Sequence, residues 1–383
     1  MKLVLSYEEL QKVLGYCNVV LNDKSVEDKL KNFIFSIKDD EVKVSGYNVF
    51  TFCRVTVENV EELVDIPESG WEFQVKSSAL NKVLQSYSSL YKTKAKTVEF
   101  SEDGVKIRVT VHEEAVDEKD SALTQDVDYY LESSPILSNT LKDIHLPFPE
   151  NTDMVNCEDI FLYIDCLFPL MNNDTGNSRE SKLNFANDYI FVMSSYSSAF
   201  MQNKLPDAFK NLTITYSSTG FLKKVCESAE PVLVAKTDKH LCVQSGNVEA
   251  FMKYQKVKIN YTMFVEKKSK ETGIKLDRMY LKDVLKRMGN VSPEGKMRVT
   301  DSSELVVEND HFHQVVPIMG VKGNASGIGF NVSVPLLEKI IVGRDDVFPE
   351  EIFLYFVPTP RGYILYLQDS TGGWFSNTQV ARL

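Results

Sequence analysis

Four lysines, Lys12, Lys82, Lys223 and Lys339, recur at one place in a repeated apolar pattern. Each stands at the same offset from a short strand signal and inside a helix signal. A lysine ammonium stays charged at neutral pH, and a row of them supplies electrostatic attraction without making or breaking a bond. In a fifth copy that offset is Asp283, with Lys282, Lys286 and Arg287 close by. At about 100° per residue, the offset falls roughly opposite the apolar face of each helix. Helices that press their apolar faces on a sheet and hold cations away from it point to a polyanion in a shared space.

The pattern itself is clearest in FNVSVPLLEKII, Phe330 to Ile341. Phe330 and Val332 alternate as a strand would, Ser333 suits a helix N-cap, and Pro335 suits the first turn. Leu337, Ile340 and Ile341 follow at helical spacing. The same marks fit Leu3, Leu5, Leu10, Val13, Leu14; then Phe73, Val75, Leu80, Val83, Leu84; then Ile274, Leu276, Leu281, Val284, Leu285. A looser copy has Ile214, Tyr216, Phe221 and Val225, with Lys224 breaking one mark. The faintest starts at Asp153 with Val155, Ile160, Tyr163 and Ile164. Six strand-then-helix units in one chain define a repeat protein.

Other chemistry is poorly supported. Gly289–Lys296 imitates a phosphate-binding loop, but it has one residue too many between its glycines and Met297 where Ser or Thr belongs. Gly327-Ile328-Gly329 leads into a strand and reads as a turn. His311 and His313 share a strand face without a carboxylate or cysteine cluster at ligand spacing. No nucleophile-and-base set emerges, so neither a catalytic residue, a metal nor a cofactor is expected.

The 383 residues suffice for two to four domains, and 43% apolar with 25% charged residues is ordinary for a globular chain. Neither a secretion signal nor an apolar run near 18 residues is seen, so no membrane association is expected. Six scattered cysteines without a CxxC pair fit a reduced, cytoplasmic setting. A net charge of −11 argues against nucleic-acid binding over the whole surface and allows one basic face.

The expected fold class is α+β, as three repeated domains at 1–130, 131–257 and 258–383. Each holds two strand–helix–strand units, with antiparallel sheets outside and helices inside. Helices are expected near Tyr7–Leu21, Ser78–Tyr87, Glu158–Leu167, Ser218–Cys226, Tyr280–Met288 and Pro335–Val342. The acid-rich Glu113–Ser134 reads as an exposed connector, and Asn172–Ser181 as a polar loop.

Six such units with inward lysines resemble the bacterial β-type DNA sliding clamp, the beta subunit of DNA polymerase III. Ile328-Gly329-Phe330-Asn331-Val332-Ser333 is similar to that family's last helix unit. Val380-Ala381-Arg382-Leu383 is similar to its closing segment, and the spacing of Lys2-Leu3 through Glu8, Leu10, Lys12 and Leu14 also matches. The resemblance spans nearly the whole chain and is faintest in the middle domain, a divergence that a phage-encoded member would fit. It implies a homodimer closed head to tail, helices lining a hole for duplex DNA, and a non-catalytic processivity factor for a DNA polymerase, placed by a clamp loader. DNA binding would be independent of sequence, through Lys12, Lys82, Lys223, Lys282, Lys286, Arg287 and Lys339. Lys24 joins them because its loop aligns with a DNA-touching loop of the family. The resemblance also implies a groove for partner peptides at Leu183, Ser194, Ala199, Tyr254, Val257, Gln379, Val380 and Ala381. The alternative class is a β-rich enzyme acting on nucleic acid, or a polymerase accessory subunit that forms no ring.

Overall fold

Each copy of the apolar pattern folds as one strand, one helix and three further strands, in a computed structural model. The structure describes residues 1–21, 28–88, 90, 92–133, 135–136, 145–150, 154–157, 159–171, 182–194, 197–228, 230–261, 271–301, 303–341, 349–371 and 373–382. Six α-helices lie among them: α1 (Tyr7–Val20), α2 (Ser77–Gln85), α3 (Ile160–Leu167), α4 (Tyr216–Cys226), α5 (Arg278–Gly289) and α6 (Val334–Ile340). Most marks that the pattern predicted as core are buried, among them Leu10, Leu80, Ile160, Phe221, Leu281 and Leu337, while Val155 of the faintest copy is exposed and Tyr216 half-buried. Lys224, the residue that broke a mark, is exposed. Local chemistry sets the helix starts: the Ser6 hydroxyl accepts from Glu9 N–H at 3.1 Å, and Asp277 accepts from Tyr280 N–H at 2.8 Å. No helix among the described residues is long and apolar enough to cross a membrane.

The chain divides into two compact units, residues 1–158 with 220–254, and residues 159–219 with 255–383. The first unit holds two sheets. Sheet 1 has the order β5-β1-β7-β8-β9, from β1 (Lys2–Ser6), β5 (Val60–Val64), β7 (Thr93–Asp103), β8 (Lys106–Ala115) and β9 (Asp126–Glu132). Sheet 2 has the order β10-β15-β16-β17-β4-β3-β2-β6. Its strands are β2 (Asn32–Lys38), β3 (Glu41–Tyr47), β4 (Thr51–Thr56), β6 (Trp71–Lys76), β10 (Val155–Asn156), β15 (Leu233–Lys236), β16 (His240–Ser245) and β17 (Val248–Lys253).

The second unit is built the same way. Sheet 3 has the order β14-β11-β12-β13-β26-β25-β24-β18-β22. Its strands are β11 (Leu183–Phe185), β12 (Tyr189–Met193), β13 (Ser197–Gln202), β14 (Leu212–Ile214), β18 (Gly273–Asp277), β22 (Gly320–Lys322), β24 (Glu351–Thr359), β25 (Gly362–Asp369) and β26 (Trp374–Ala381). Sheet 4 has the order β21-β20-β19-β23, from β19 (Glu294–Val299), β20 (Glu304–Asn309), β21 (Phe312–Pro317) and β23 (Gly329–Ser333).

Two pairing rules run through these sheets. Neighbouring repeats exchange their first strands: β1 pairs with β7 while β6 pairs with β2, and β18 pairs with β24 while β23 pairs with β19. The last strands join repeats edge to edge: β4 pairs with β17 inside the first unit, and β13 with β26 inside the second. The β4–β17 joint carries a buried ion pair, Arg54 with Glu249, and Arg54 also donates to the Leu146 carbonyl at 3.0 Å. At the β13–β26 joint the Phe200 and Phe375 rings stack with centroids 4.6 Å apart.

Three differences from the sequence pattern stand out. Glu113–Ser134 is not a structureless connector. β8 runs on to Ala115, and β9 pairs with β8 from Asp126 to Glu132, turning Val127, Tyr129 and Leu131 toward the core side. Its alternation is hidden by acids on the other face. Neither β13 nor β26 is marked in the sequence, because both lie mid-sheet and bury small polar residues such as Ser197, Ser198, Ser376 and Thr378. α2 ends at Gln85, two residues before the expected Tyr87. The loop Asn172–Ser181 lies outside the described residues.

Candidate nucleic-acid interface and partner cleft

The helices place most of the predicted cations on their outward faces. In the first unit α1 and α2 lie side by side. The Asn18 and Asn81 amides exchange hydrogen bonds at 3.3 and 2.8 Å, and Tyr7 Oη donates to the Leu84 carbonyl at 2.7 Å. Lys12 and Lys82 are exposed on the faces opposite Leu10, Val13 and Leu14, and Leu80, Val83 and Leu84. Lys223, on α4, is half-buried and makes an interaction of its own. In the second unit Lys286, Arg287 and Lys339 are exposed on α5 and α6, and Lys282 is half-buried. Arg287 Nε donates to the Asp283 carbonyl at 3.2 Å, one turn back on its own helix. On α3 the corresponding position is Leu162, so that helix presents no cation there. Lys24 lies outside the described residues.

Lys12 has a carboxylate partner: its Nζ lies 2.9 Å from Glu58 Oε2. That hydrogen-bonded carboxylate holds the Lys12 ammonium above its ordinary pKa, against a smaller opposing effect of burial. Lys82, Lys286 and Lys339 make no ion pair among the described residues.

Among the predicted groove residues of the second unit, Leu183 and Ala199 do not share a face of sheet 3 with Val257. Leu183 and Ala199 are fully buried on one face of sheet 3, paired through Val192. Val257 packs on the opposite face, against Ala186, Phe191, Phe200 and Phe375. Ser194 closes the turn into β13, its hydroxyl 2.9 Å from that of Ser197. Tyr254 belongs to the first unit, where its hydroxyl donates to the Thr237 carbonyl at 2.9 Å.

Gln379, Val380 and Ala381 do line an open site. β23 and β26 meet at a single antiparallel bridge, Phe330 with Arg382. The register beyond it would set Asn331 against Ala381, Val332 against Val380 and Ser333 against Gln379. Instead the strands part, and those six residues form the walls of a cleft of about 750 Å³. Leu336 and Leu337 of α6 give it an apolar side, while Glu294, Lys296, Asp310 and His311 give it a charged one. The buried Asn309 amide nitrogen, also in its lining, has no hydrogen-bond partner among the described residues. Two strand edges and an unspent donor suit an extended peptide. Only the C-terminal wall was legible in the sequence. The β23 wall lay inside the best-marked repeat, where it reads simply as core.

Gly362 sets the position of that C-terminal wall. Its φ is 159°, and a Cβ there would collide with the Val380 carbonyl oxygen.

No family model and no curated protein sequence matches the chain. Solved structures do. A DNA polymerase sliding clamp from Bacillus subtilis superposes at a TM-score of 0.72 with 11% identity, over 100% of this chain and 99% of that one. The DNA polymerase III beta subunit of Thermotoga maritima gives 0.69 and 15%, over 100% and 99%. The beta subunit from Pseudomonas aeruginosa gives 0.69 and 12%, over the full length of both. At these identities the likeness establishes the fold: this chain has the DNA clamp fold over its whole length.

Replacing Gly362 with Ala is expected to push β26 away from β25 and to cost roughly 1–3 kcal/mol of stability, as overpacking does. Urea unfolding would measure it, and an unchanged midpoint would show that the cleft wall is not held by this close approach.

Proposed function

We propose that the chain is a DNA sliding clamp, a non-catalytic processivity factor that closes into a ring around duplex DNA and tethers a replicative polymerase. The observation that carries this reading is the strand count. Of the six repeat-ending strands, β4 and β17 satisfy each other, as do β13 and β26. β9 and β21 remain at the free edges of sheets 1 and 4. A second copy can supply what each lacks, β9 of one copy pairing with β21 of the other, and two such joints close a head-to-tail homodimer. Three domains per chain, at 1–130, 131–257 and 258–383, would then make a ring of six.

Surface chemistry supports the same edges. Of the twelve large apolar residues exposed among the described ones, seven lie in the repeats that end in β9 and β21: Leu90, Val105, Val116, Leu123, Tyr130, Tyr280 and Val291. On the core side, Val127, Tyr129 and Leu131 of β9 and Phe312 and Gln314 of β21 are only half-buried, although Val316 is covered, as positions awaiting a neighbouring strand would be.

The helices of such a ring would face its hole, and Lys82, Lys223, Lys282, Lys286, Arg287 and Lys339 would meet phosphates rather than bases. Lys24 is included on the family resemblance alone. Binding would therefore be independent of sequence and weakened by salt. The acidic remainder of the chain would keep DNA off the outer surface. The cleft between β23 and β26 would take the extended peptide of a polymerase or clamp loader, with Gln379, Val380 and Ala381 as one wall. Such a role would be carried out in the cytoplasm, where the DNA is copied.

The direct experiment is retention on DNA. The protein loaded on a nicked circle should stay through a high-salt wash and fall off when the circle is cut. Equal loss from circles and linear DNA would rule out encirclement. Reversing Lys82, Lys223 and Lys339 to Glu together should abolish loading while leaving the circular dichroism spectrum unchanged; retained loading would remove the inner-face assignment.

The edge assignment predicts an oligomer that responds to charge. β9 carries Asp126, Asp128 and Glu132, so Val315→Glu on β21 should split the dimer by like-charge repulsion, and Val315→Lys should preserve it. Light scattering would read the mass; a Val315→Glu protein that keeps twice the chain mass would show that β21 is not at the joint.

For the cleft, Ala381→Trp should fill the space beside Asn331 and weaken polymerase capture at least tenfold without altering ring mass. Unchanged capture would place the partner site elsewhere.

A further inference from the structure

Lys12 and Glu58 form a pair whose position is built into the fold. β4 ends at Thr56, and the three residues from there are pinned in turn. Thr56 N–H donates to the Asn247 carbonyl at 3.0 Å, and Asn247 Nδ2 returns a bond to the Thr56 carbonyl at 2.6 Å. Val57 N–H donates to the Val42 carbonyl at 2.8 Å. Glu58 N–H then donates to the carboxylate of Glu9 at 3.0 Å, and Glu9 is itself buried, 8% exposed, on the turn of α1 that precedes Lys12. Glu58 is left with its backbone fixed and its carboxylate 2.9 Å from Lys12 Nζ.

An exposed ion pair usually contributes little, because ordering two long side chains costs as much as the attraction returns. Here the fold already fixes the backbone of both partners, so only the two side chains remain to be ordered. Around the Lys12 ammonium stand two carboxylates, Glu9 and Glu58, so this sector of α1 carries a local net charge of −1. Exposed Lys82 on the neighbouring helix, and Lys286 and Lys339 in the second unit, have no such carboxylate among the described residues.

We propose that Glu58 is an internal counter-ion that competes with DNA phosphate for Lys12, so that the α1 sector of the DNA-facing surface is held electrostatically neutral or acidic while the other helices grip. The inference rests on the DNA-encircling reading. It deepens that reading by assigning a residue that weakens the hold on DNA. A ring that slides needs interactions easily exchanged between phosphates, and a lysine with a resident carboxylate has an alternative partner at every step. Glu9 is a positioning residue in this scheme, because it fixes the Glu58 backbone and faces away from the DNA.

The test is equilibrium binding of a short fluorescent duplex over a series of salt concentrations, with Lys82→Gln/Lys339→Gln as the reference variant. Glu58→Gln should tighten binding roughly three- to tenfold at low salt and steepen the slope of log K against log salt by about 0.9, the increment expected when one more phosphate is neutralised. Lys12→Gln added to Glu58→Gln should take away both the tighter binding and the steeper slope. Glu58→Gln with an unchanged slope, or tighter binding that survives loss of Lys12, would overturn the counter-ion role. Should Lys82→Gln/Lys339→Gln leave binding and slope unchanged, the DNA-facing assignment itself falls, and the counter-ion with it. A circular dichroism melt of each variant checks that the fold is intact, and Glu58→Asp, which keeps the charge, should bind as the parent does.

Discussion

The constraint on which this architecture depends is that a sheet edge must find a partner. Backbone N–H and C=O groups at the end of a sheet are either paired, covered or left open to another chain. Exchange of first strands ties each repeat to its neighbour, so no repeat can leave without unpairing its neighbour's sheet. The helices gain their burial from that exchange. Leu10, Val13 and Leu14 of α1 pack on a layer to which both repeats contribute strands. Pairing of last strands extends two sheets to eight and nine strands. What remains is one repeat-ending strand at a sheet edge in each compact unit, β9 in the first and β21 in the second.

Charge is distributed around that frame in two separate populations. The helices turn apolar residues to the sheets and cations outward, while most acids lie on strands, turns and the Glu113–Ser134 stretch. A chain with a net charge of −11 can thus present basic helices without being a basic protein. Lys2 illustrates the other population: on β1 it is shared between Glu62 and Glu99, at 2.7 and 3.2 Å, in an outer-face network that leaves it no free charge for a ligand. A lysine's functional meaning therefore depends on the element that carries it and on the acids its neighbours supply, and only the first of these is written locally in the sequence.

That distinction explains what was legible. Helix positions were readable because the apolar marks repeat at fixed spacing, and Leu281, Val284 and Leu285 or Leu337, Ile340 and Ile341 all prove buried. Cation placement followed from the same geometry. The joining strands were harder to see. SSAFMQ and WFSNTQVA alternate neither cleanly apolar with polar nor continuously apolar, because a central strand can bury Ser and Thr against another strand's backbone. The orientation of the predicted groove residues was hidden for a related reason. Leu183 and Ala199 are near Gln379 in the pairing scheme but turned into the core, and a spacing argument does not reveal which face of a mid-sheet strand is open. Glu58 was invisible because its meaning comes from Glu9, forty-nine residues away.

The cleft between β23 and β26 follows from the same edge constraint. β26 is held on one side by β25, with Gly362 allowing the close approach at Val380, and by β13 only as far as Thr378. β23 is held by β19 along its whole length. The two strands run antiparallel and meet at Phe330 and Arg382, so nothing in their direction prevents them from pairing further. What separates them is that each already follows the twist of its own sheet, one of nine strands and one of four, and successive strands rotate by about 20–25°. A ladder started at one bridge is therefore pulled open within two or three residues. The resulting wedge keeps Asn331–Ser333 and Gln379–Ala381 facing each other with part of their hydrogen-bonding capacity unspent. Three residues on each side are enough to hold a short extended segment and too few to template an open-ended sheet. An edge left open in this way could take a peptide without inviting aggregation, which the longer edges at β9 and β21 would avoid only if another copy covered them.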